Sequence, residues 1–268
     1  MDLWLAALVI FAAAALGAAG MLIVRRRAPE GTYFKDPIPA GAVYTVVGTA
    51  YMVIVAFVFF VAFESYRGAK IDAEEEATAT LAMFHAALPF GPTVRAQLQG
   101  QVICYAREVI ASGWPAMREG RGSPVVDARV TALEESAARI ALEGDKQHAA
   151  YDHWFALNEE RRKGRQGRIA QASGLVPPVL WLILIVGAVV VIASVGFFAD
   201  PREASVTQAA MIAAVAVIVV SGLVLVRFLD RPYEGKSGSI KPTAMTRTLT
   251  QMEREHRQRD RQAVIPCD

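Results

Sequence analysis

An apolar run in the first quarter of the chain ends in a cluster of aromatic side chains. Residues 56–66 read AFVFFVAFESY, so phenylalanines crowd the last turns before Glu64. At helical spacing, one face of this run collects Tyr44, Gly48, Tyr51, Val55, Phe59 and Tyr66, with Phe63 at its edge. Rings gathered around a symmetry axis would form a narrow neck that dewets easily and gates an ion path without a charge in the membrane. Glu64 would then supply an acidic vestibule, which favours cations.

The same aromatic face has a second interpretation that needs no pore. A glycine within the face suits close packing of two membrane helices. Aromatic side chains are also common where a helix leaves the hydrocarbon, so Tyr66 and Trp181 would be interfacial anchors and Glu64 would only end the span. The residues alone leave both interpretations open.

No pattern of reactive residues indicates an enzyme. The sequence holds no G-x-S-x-G, P-loop, HExxH or glycine-rich dinucleotide turn. Cys104 and Cys267 have neither metal-ligand nor CxxC spacing, and they predict no disulfide framework. The acidic run at residues 72–76 is typical of a solvated helix surface. We expect no catalytic residue, metal site or cofactor, and the net charge of +2 suggests no nucleic-acid partner.

The composition places the aromatic run in a membrane protein. With 54% hydrophobic residues and a mean hydropathy of +0.31, the chain is too apolar for an ordinary soluble domain. A helix crosses about 30 Å of hydrocarbon with roughly 20 residues. Four uncharged stretches satisfy this length, at residues 3–24, 42–63, 179–198 and 206–226. Three arginines at residues 25–27 follow the first stretch like a stop-transfer signal, so we predict a retained span there.

The region between the second and third stretches is rich in Ala, Glu, Arg and Gln and has helical periodicity. Two apolar faces recur at helical spacing, one formed by Leu98, Val102, Tyr105 and Val109 and the other by Val126, Val130, Leu133, Ala137 and Ile140. We therefore predict an all-α membrane protein of four transmembrane helices with a helical soluble insert between the second and third spans. The predicted domains are a first helix pair (1–63), a helical soluble domain (64–178), a second helix pair (179–229) and a polar C-terminal tail (230–268).

Four spans place both termini and the helical insert on one side of the membrane. The arginines at residues 25–27 favour an external insert, because positive loops are usually cytoplasmic. The basic residues within 161–168 and 227–241 favour a cytosolic insert by the same rule. Charge alone does not decide between the two orientations.

Four segments of the sequence together resemble the bestrophin-like domain of bacterial membrane proteins. They read VYTVVGTAYMVIVAFVFFVAFESYRGAKIDAEEEATATL, CYAREVIASGWPAM, SGLVPPVLWLILIVGA and FLDRPYEG, within about residues 40–240. The order of two spans, a helical insert, two further spans and an Asp-Arg-Pro-aromatic exit is similar to that family.

The resemblance implies the architecture of bestrophins, which are pentameric anion channels with a neck of apolar rings on the second span and a cytosolic helical part. By position in that span, it makes Val55, Phe59 and Phe63 the neck candidates, at spacings of four, with Glu64 behind them. This sequence lacks a recognisable calcium clasp, so calcium gating is not implied. The cytosolic side is favoured for the insert and both termini.

Other residues within or beside the resembling segments are predicted to be structural. Glu76, beside the small Ala77, would bond a neighbouring helix, and Trp114-Pro115 would kink or end one. The full set of structural candidates is Glu76, Tyr105, Trp114, Pro177, Pro178, Trp181, Asp230, Arg231 and Pro232.

The sequence thus predicts an oligomeric, bestrophin-like ion channel of a bacterial plasma membrane, whose partners are the lipid bilayer, further copies of itself and an inorganic ion. The resemblance makes the oligomer a pentamer. The alternative is a membrane-anchored helical signalling or scaffolding protein that conducts nothing, in which the insert binds a partner. A ring-shaped oligomer would favour the channel over the scaffold.

Overall fold

The computed structural model describes residues 2–27, 37–142, 144–198, 203–259, 265 and 267. Every regular element in these residues is helical, which confirms the predicted all-α fold. The helices are α1 (Leu3–Arg27), α2 (Pro37–Ala86), α3 (Pro92–Glu108), α4 (Trp114–Arg118), α5 (Pro124–Ala138), α6 (Gly144–Ala170), α7 (Pro178–Gly196), α8 (Ser205–Asp230) and α9 (Thr243–Arg259). One π-helical turn, Val109–Gly113, joins α3 to α4.

Four of the described helices are long and apolar enough to cross a membrane. By length and composition these are α1, α2, α7 and α8, which confirms the four predicted spans. The chain divides into two compact units. The membrane unit comprises residues 1–65 and 175–230, and the polar unit comprises residues 66–174 and 231–268. Because α2 extends from residue 37 to residue 86, it contributes to both units.

Small residues bring the helices of the membrane unit together. Tyr51 on α2 donates a hydrogen bond to the Leu184 carbonyl on α7 at 3.0 Å. Its ring lies where a side chain at Gly187 would be, since a Cβ there would come within 2.5 Å of the ring. On α1, Gly17 faces Ala216 of α8. Most other apolar side chains of this unit point outward, which suits helices whose solvent is lipid.

Backbone groups at one end of the membrane unit are capped by a buried carboxylate. Asp230, the last residue of α8, accepts hydrogen bonds from the N–H groups of Leu175 and Val176 at 2.7 and 2.8 Å. Pro177 and Pro178 follow, and α7 begins at Pro178 because a proline at the first helical position loses no hydrogen bond. Trp181 lies half-buried in the first turn of α7.

The two faces predicted from periodicity lie in the core of the polar unit. Leu98, Val102, Tyr105 and Val109 are all buried, as are Val126, Leu133 and Ala137. The helix that carries the second face begins at Pro124, where the Ser123 hydroxyl accepts a hydrogen bond from the Val126 N–H at 3.5 Å. Amphipathic helices of this kind gain most of their stability from the packed face and little from propensity.

The C-terminal tail contributes a helix to the same core. Met245 and Met252 of α9 are buried in the polar unit. Thr248 donates a hydrogen bond to the Ala77 carbonyl of α2 at 3.3 Å, and Arg107 of α3 pairs with Glu253 at 2.7 Å. The predicted polar tail therefore contains an amphipathic helix, which is polar on its outer side and packs its apolar side into the core.

The two cysteines were predicted to form no disulfide framework, and this prediction is wrong. Cys104 of α3 and Cys267 are joined by a disulfide, with their Cα atoms 5.2 Å apart. They are 163 residues apart in sequence, so their spacing carried no signal of the contact. Ile265 packs beside the same core, which brings the end of the chain to α3.

Candidate pore helix and buried ion-pair cluster

The membrane part of α2 has one side packed within its own unit. Tyr51, Val55, Val58 and Ala62 are buried there, at helical spacings of four, three and four. Val55 lies against α8 at Gly222, where an added Cβ would be 3.6 Å from the valine methyl group, an ordinary contact distance. This side of α2 holds the membrane unit together.

Val55, a neck candidate by the resemblance, belongs to this packed side of α2, since only 8% of it is exposed. The three neck candidates, Val55, Phe59 and Phe63, differ in exposure for a geometric reason. A step of four residues overshoots one helical turn, so a row at that spacing drifts by about 40° per step. Accordingly, Val55 is buried, Phe59 is half-buried and Phe63 is 45% exposed.

The opposite side of α2 exposes an aromatic face. Phe57 and Phe60 are 68% and 60% exposed, and Val53 precedes them at helical spacing. Glu64 is exposed one turn beyond Phe60 on the same face. We call Phe57, Phe60, Phe63 and Glu64 the exposed α2 face. Phe59 stacks behind Phe63 with ring centroids 6.4 Å apart, which fixes the edge of this face.

In the polar unit, Glu76 of α2 lies at the centre of a buried ion-pair cluster. Arg168 of α6 donates two hydrogen bonds to its carboxylate, from Nε at 2.5 Å and from Nη2 at 2.9 Å. Tyr105 of α3 donates a third hydrogen bond to Oε1. All three side chains are almost completely buried. The structure thus brings together the structural candidates Glu76 and Tyr105. The bidentate pair between Arg168 and Glu76 consists of charge-assisted hydrogen bonds, which are stronger than hydrogen bonds between neutral groups.

Aromatic and sulfur groups complete the surroundings of Arg168. Its guanidinium lies 4.5 Å from the centre of the Trp114 ring, and Nη1 donates to the Met117 sulfur at 2.9 Å. Trp114 in turn packs edge-on against Tyr233, with centroids 6.0 Å apart, and donates to the Ile240 carbonyl. Trp114 directly follows the π turn Val109–Gly113 and begins α4, so the ring that packs on Arg168 lies at a break between two helices.

A second arginine of α6 packs on the same tyrosine. The guanidinium of Arg161 lies 4.6 Å from the centre of the Tyr105 ring, and its Nε donates to Asn158 at 2.9 Å. Its pair with Glu134 is longer, at 3.4 Å. Two cations are therefore compensated by two carboxylates and by ring faces within one packed core.

The electrostatic environment of the cluster raises the pKa of both Tyr105 and Arg168. Burial raises the pKa of Tyr105, and the neighbouring Glu76 carboxylate raises it further, against the smaller effect of Arg161 and Arg168. Burial alone would lower the pKa of Arg168, but the Glu76 charge and hydrogen bonds outweigh it, so the pKa is raised. The arginine stays charged and the phenol stays neutral.

Close approach of α2 and α6 makes the cluster possible. A Cβ at Gly164 would lie 2.7 Å from the Glu76 nitrogen and 2.9 Å from the Asp72 carbonyl oxygen. Only glycine permits this contact, because both neighbours are backbone atoms that cannot move aside. Sequence reasoning missed Gly164, Arg161, Arg168 and Tyr233. The buried face of α6, at Trp154, Asn158, Arg161, Gly164 and Arg168, follows helical spacing but contains too few apolar residues to be recognised.

The Asp-Arg-Pro-aromatic exit supplies separate contacts within each unit. Asp230 binds the backbone N–H groups of Leu175 and Val176, as described above. In the polar unit Pro232 is buried, and its carbonyl accepts from the Ile240 N–H at 2.8 Å. Tyr233 donates to the Ala69 carbonyl at 2.7 Å, and Arg231 is half-buried near Gly120. Among the described residues, no group of three or more His, Cys, Asp or Glu side chains is placed to hold a metal ion.

Comparison with known proteins identifies relatives by family and by fold. The family model of the Bestrophin-like domain matches residues 11–245. A bacterial bestrophin homologue from Klebsiella pneumoniae, solved as a point variant, superposes with a TM-score of 0.70 at 12% identity, covering 93% of this chain and 98% of that one. A variant of a protein described only as a membrane protein gives the same score and identity, covering 96% of this chain and 99% of that one. No curated protein sequence matches this chain.

Proposed function

Because the chain belongs to the bestrophin-like family, we propose that it is an oligomeric ion channel of a bacterial plasma membrane whose pore is lined by α2. The observation that carries this proposal is the exposed α2 face, defined above by three phenylalanines and Glu64. The fold shared with the Klebsiella bestrophin homologue supports it.

The composition of the exposed α2 face favours an axis over bulk lipid. Apolar helix faces gain nothing from being more apolar in lipid, so alignment of large rings needs another cause. A carboxylate that faced acyl chains would also be costly. Arranged around a shared axis, the rings of several copies would form a dewettable constriction and the carboxylates an ionic ring next to it.

Within this proposal the residues of α2 have separate roles. Phe57 and Phe60 line the neck, since they lie opposite the side that packs inside the protomer. Phe63 lies at the edge of the neck, supported from behind by Phe59. Glu64 forms the vestibule, and Val55 is a packing residue that lies outside the pore.

Reconstitution of the full-length protein into liposomes tests the proposal. We expect flux of chloride or potassium above that of empty liposomes, and a ring-shaped oligomer by single-particle imaging. Phe60→Ala removes a neck ring and is expected to raise the flux, whereas Phe11→Ala, at an exposed phenylalanine of α1, is the matched control and leaves it unchanged. A monomer or dimer without flux of either ion would reject the channel and favour the membrane-anchored scaffold.

We place the polar unit and both termini on the cytosolic side. The basic residues within 161–168 and 227–241 support this side. The Cys104–Cys267 bond favours the opposite side, because disulfides are rare in the reducing cytosol. The oxidation state of this pair in living cells therefore tests the orientation directly.

A further inference from the structure

A groove between α1, α7 and α8 in the membrane unit has no role in the proposed pore. Its cavity volume is 460 Å³, and its lining residues are all apolar. They include Leu16 and Gly20 of α1, Ile185 and Ile192 of α7, and Leu223 of α8. Within the part of the chain that the structure describes, no side chain fills this space at Gly20, because a Cβ added there meets no atom within 4 Å.

The groove has the depth of one membrane leaflet. Along α1 it extends from Ala13 to Val24, which at helical rise is about 16 Å, close to half of a hydrocarbon core of about 30 Å. Phe197, just beyond the end of α7, lines the same end of the groove as Val24, because α1 and α7 run parallel. An extended acyl chain of one leaflet matches this length.

Positive charge lies directly at that end. Arg25, Arg26 and Arg27 complete the last turn of α1, immediately after Val24. Arg25 is held in place by a hydrogen bond from its Nη1 to Gln208 of α8 at 3.1 Å, while Arg26 and Arg27 are exposed. Guanidinium groups bind phosphate oxygens through two parallel hydrogen bonds, so this turn is a suitable partner for a lipid phosphate.

From these three observations we infer that the membrane unit holds an anionic phospholipid, with an acyl chain in the groove and the headgroup at Arg25, Arg26 and Arg27. The charge decides the choice of occupant. A helix from a second copy would fill the apolar groove without using the arginines, and a zwitterionic lipid would gain less from them. Each arginine near the surface of an anionic membrane contributes about 1 kcal/mol, or about fivefold in affinity.

The test uses full-length protein in detergent with defined lipids, and its readout does not depend on conduction. Native mass spectrometry compares the binding of phosphatidylglycerol with that of phosphatidylcholine. We expect tighter binding of phosphatidylglycerol to the wild-type protein. The double variant Arg26→Gln, Arg27→Gln is expected to lower that affinity by about 25-fold from the fivefold effect of each arginine. The double variant Lys146→Gln, Lys163→Gln removes two exposed charges from the polar unit and is the matched control, with no expected change.

A second measurement locates the acyl chain. Phosphatidylglycerol with a photoreactive acyl chain is expected to label α1 and α7. Gly20→Leu puts a side chain into the groove and should abolish this labelling. Ala19→Leu introduces the same side chain at an exposed position of α1 outside the groove and should preserve it. Should Gly20→Leu fail to fold, the arginine variant decides, because Arg26 and Arg27 are exposed.

Two results would overturn the inference. If the wild-type protein and the arginine variant each bind phosphatidylglycerol and phosphatidylcholine with equal affinity, the protein retains only non-specific surrounding lipid. Unchanged labelling in Gly20→Leu together with a smaller oligomer would mean that a second copy of the chain fills the groove.

Discussion

The guanidinium of Arg168 donates hydrogen bonds to both oxygens of the Glu76 carboxylate, although the two residues are 92 positions apart in the sequence. Both side chains are essentially inaccessible to solvent. Charges in such a position lose their hydration, and the pair offsets that cost only while both members and their other hydrogen bonds are present. The contact therefore joins α2 to α6 in a way that neither residue can maintain alone.

Loss of the Glu76 charge is expected to destabilise the polar unit strongly. Glu76→Gln leaves the Arg168 guanidinium buried without a counter-charge, which typically costs about 3–5 kcal/mol. Thermal unfolding of the detergent-solubilised protein measures the effect. The matched control is Glu159→Gln, which removes an exposed carboxylate paired with Arg162 and is expected to cost less than about 1 kcal/mol. Equal melting temperatures for the two variants would contradict the role of the buried pair.

Glycine at residue 164 is expected to be required for the approach of α2 and α6. Gly164→Ala forces a methyl group against the backbone of Glu76 and Asp72, so the helices must separate and the ion pair must lengthen. We expect a cost of about 1–3 kcal/mol, as for other overpacked positions. Gly122→Ala is the control, because its added methyl group meets only Ile169 side-chain carbons at 3.7 Å, an ordinary contact. Chemical unfolding of both variants measures the difference, and a stable Gly164→Ala protein would refute the steric argument.

The parts of this molecule that follow from the sequence are those with a local periodic signal. The four spans are continuous apolar runs, and the faces at Leu98–Val109 and Val126–Ile140 repeat at helical spacing, so both were predictable. The ion-pair partner of Glu76 was not, because the buried face of α6 is built from Asn158, Arg161, Gly164 and Arg168, which resemble a solvated helix. Their burial depends on partners from other helices, which no local pattern encodes.

The burial of the neck candidate Val55 also depends on another helix. Val55 packs against α8 at Gly222, and no local pattern around Val55 encodes that contact. The disulfide was missed for the same reason, since contact between Cys104 and Cys267 arises only once the chain end reaches α3.

Alkaline pH is expected to destabilise the polar unit through Tyr105. Burial and the nearby Glu76 carboxylate raise the pKa of this phenol, so the folded protein keeps the proton to a higher pH than the unfolded chain. The protonated Tyr105 therefore makes its full contribution to the free energy of unfolding below the ordinary tyrosine pKa of about 10. That contribution is lost as the pH rises above this value, by up to about 1.4 kcal/mol per pH unit. Melting temperatures between about pH 9 and pH 11 measure this loss.

Tyr105→Phe distinguishes this titration from general alkaline unfolding. The variant is less stable at neutral pH, because Glu76 loses a hydrogen-bond donor. Its stability should nevertheless fall less steeply above pH 10. Tyr151→Phe, at a half-buried tyrosine of the same unit, is expected to keep the wild-type slope. Identical slopes for wild type and Tyr105→Phe would show that another group controls the alkaline transition.

The thiols of Cys104 and Cys267 are expected to be reduced in growing cells if the polar unit is cytosolic, as proposed. Their Cα atoms are 5.2 Å apart, so the bond should form once the cells are oxidised. Acid quenching, denaturation and gel-shift alkylation measure the free thiols, and Cys267→Ser shows the shift of a single thiol. Denaturation is essential, because Cys104 is buried and would not react in the native protein. A bond already present in quenched cells would place the polar unit on the external side.

Glu64 is expected to set the charge preference of the proposed pore. It lies one helical turn beyond Phe60 on the exposed α2 face, so copies of the chain around an axis would place a ring of carboxylates beside the neck. One unit charge about 4 Å from an ion in water contributes about 1 kcal/mol, which corresponds to about a fivefold change in occupancy. Glu64→Gln should therefore raise the chloride-to-potassium permeability ratio by about that factor. Reversal potentials in a chloride and potassium gradient across a planar bilayer measure the ratio.

Glu159→Gln is the control for this prediction, because it removes an exposed carboxylate from α6 and should leave the permeability ratio unaltered. If both variants keep the wild-type ratio while Phe60→Ala still raises conductance, α2 lines the pore but Glu64 lies outside the ion path.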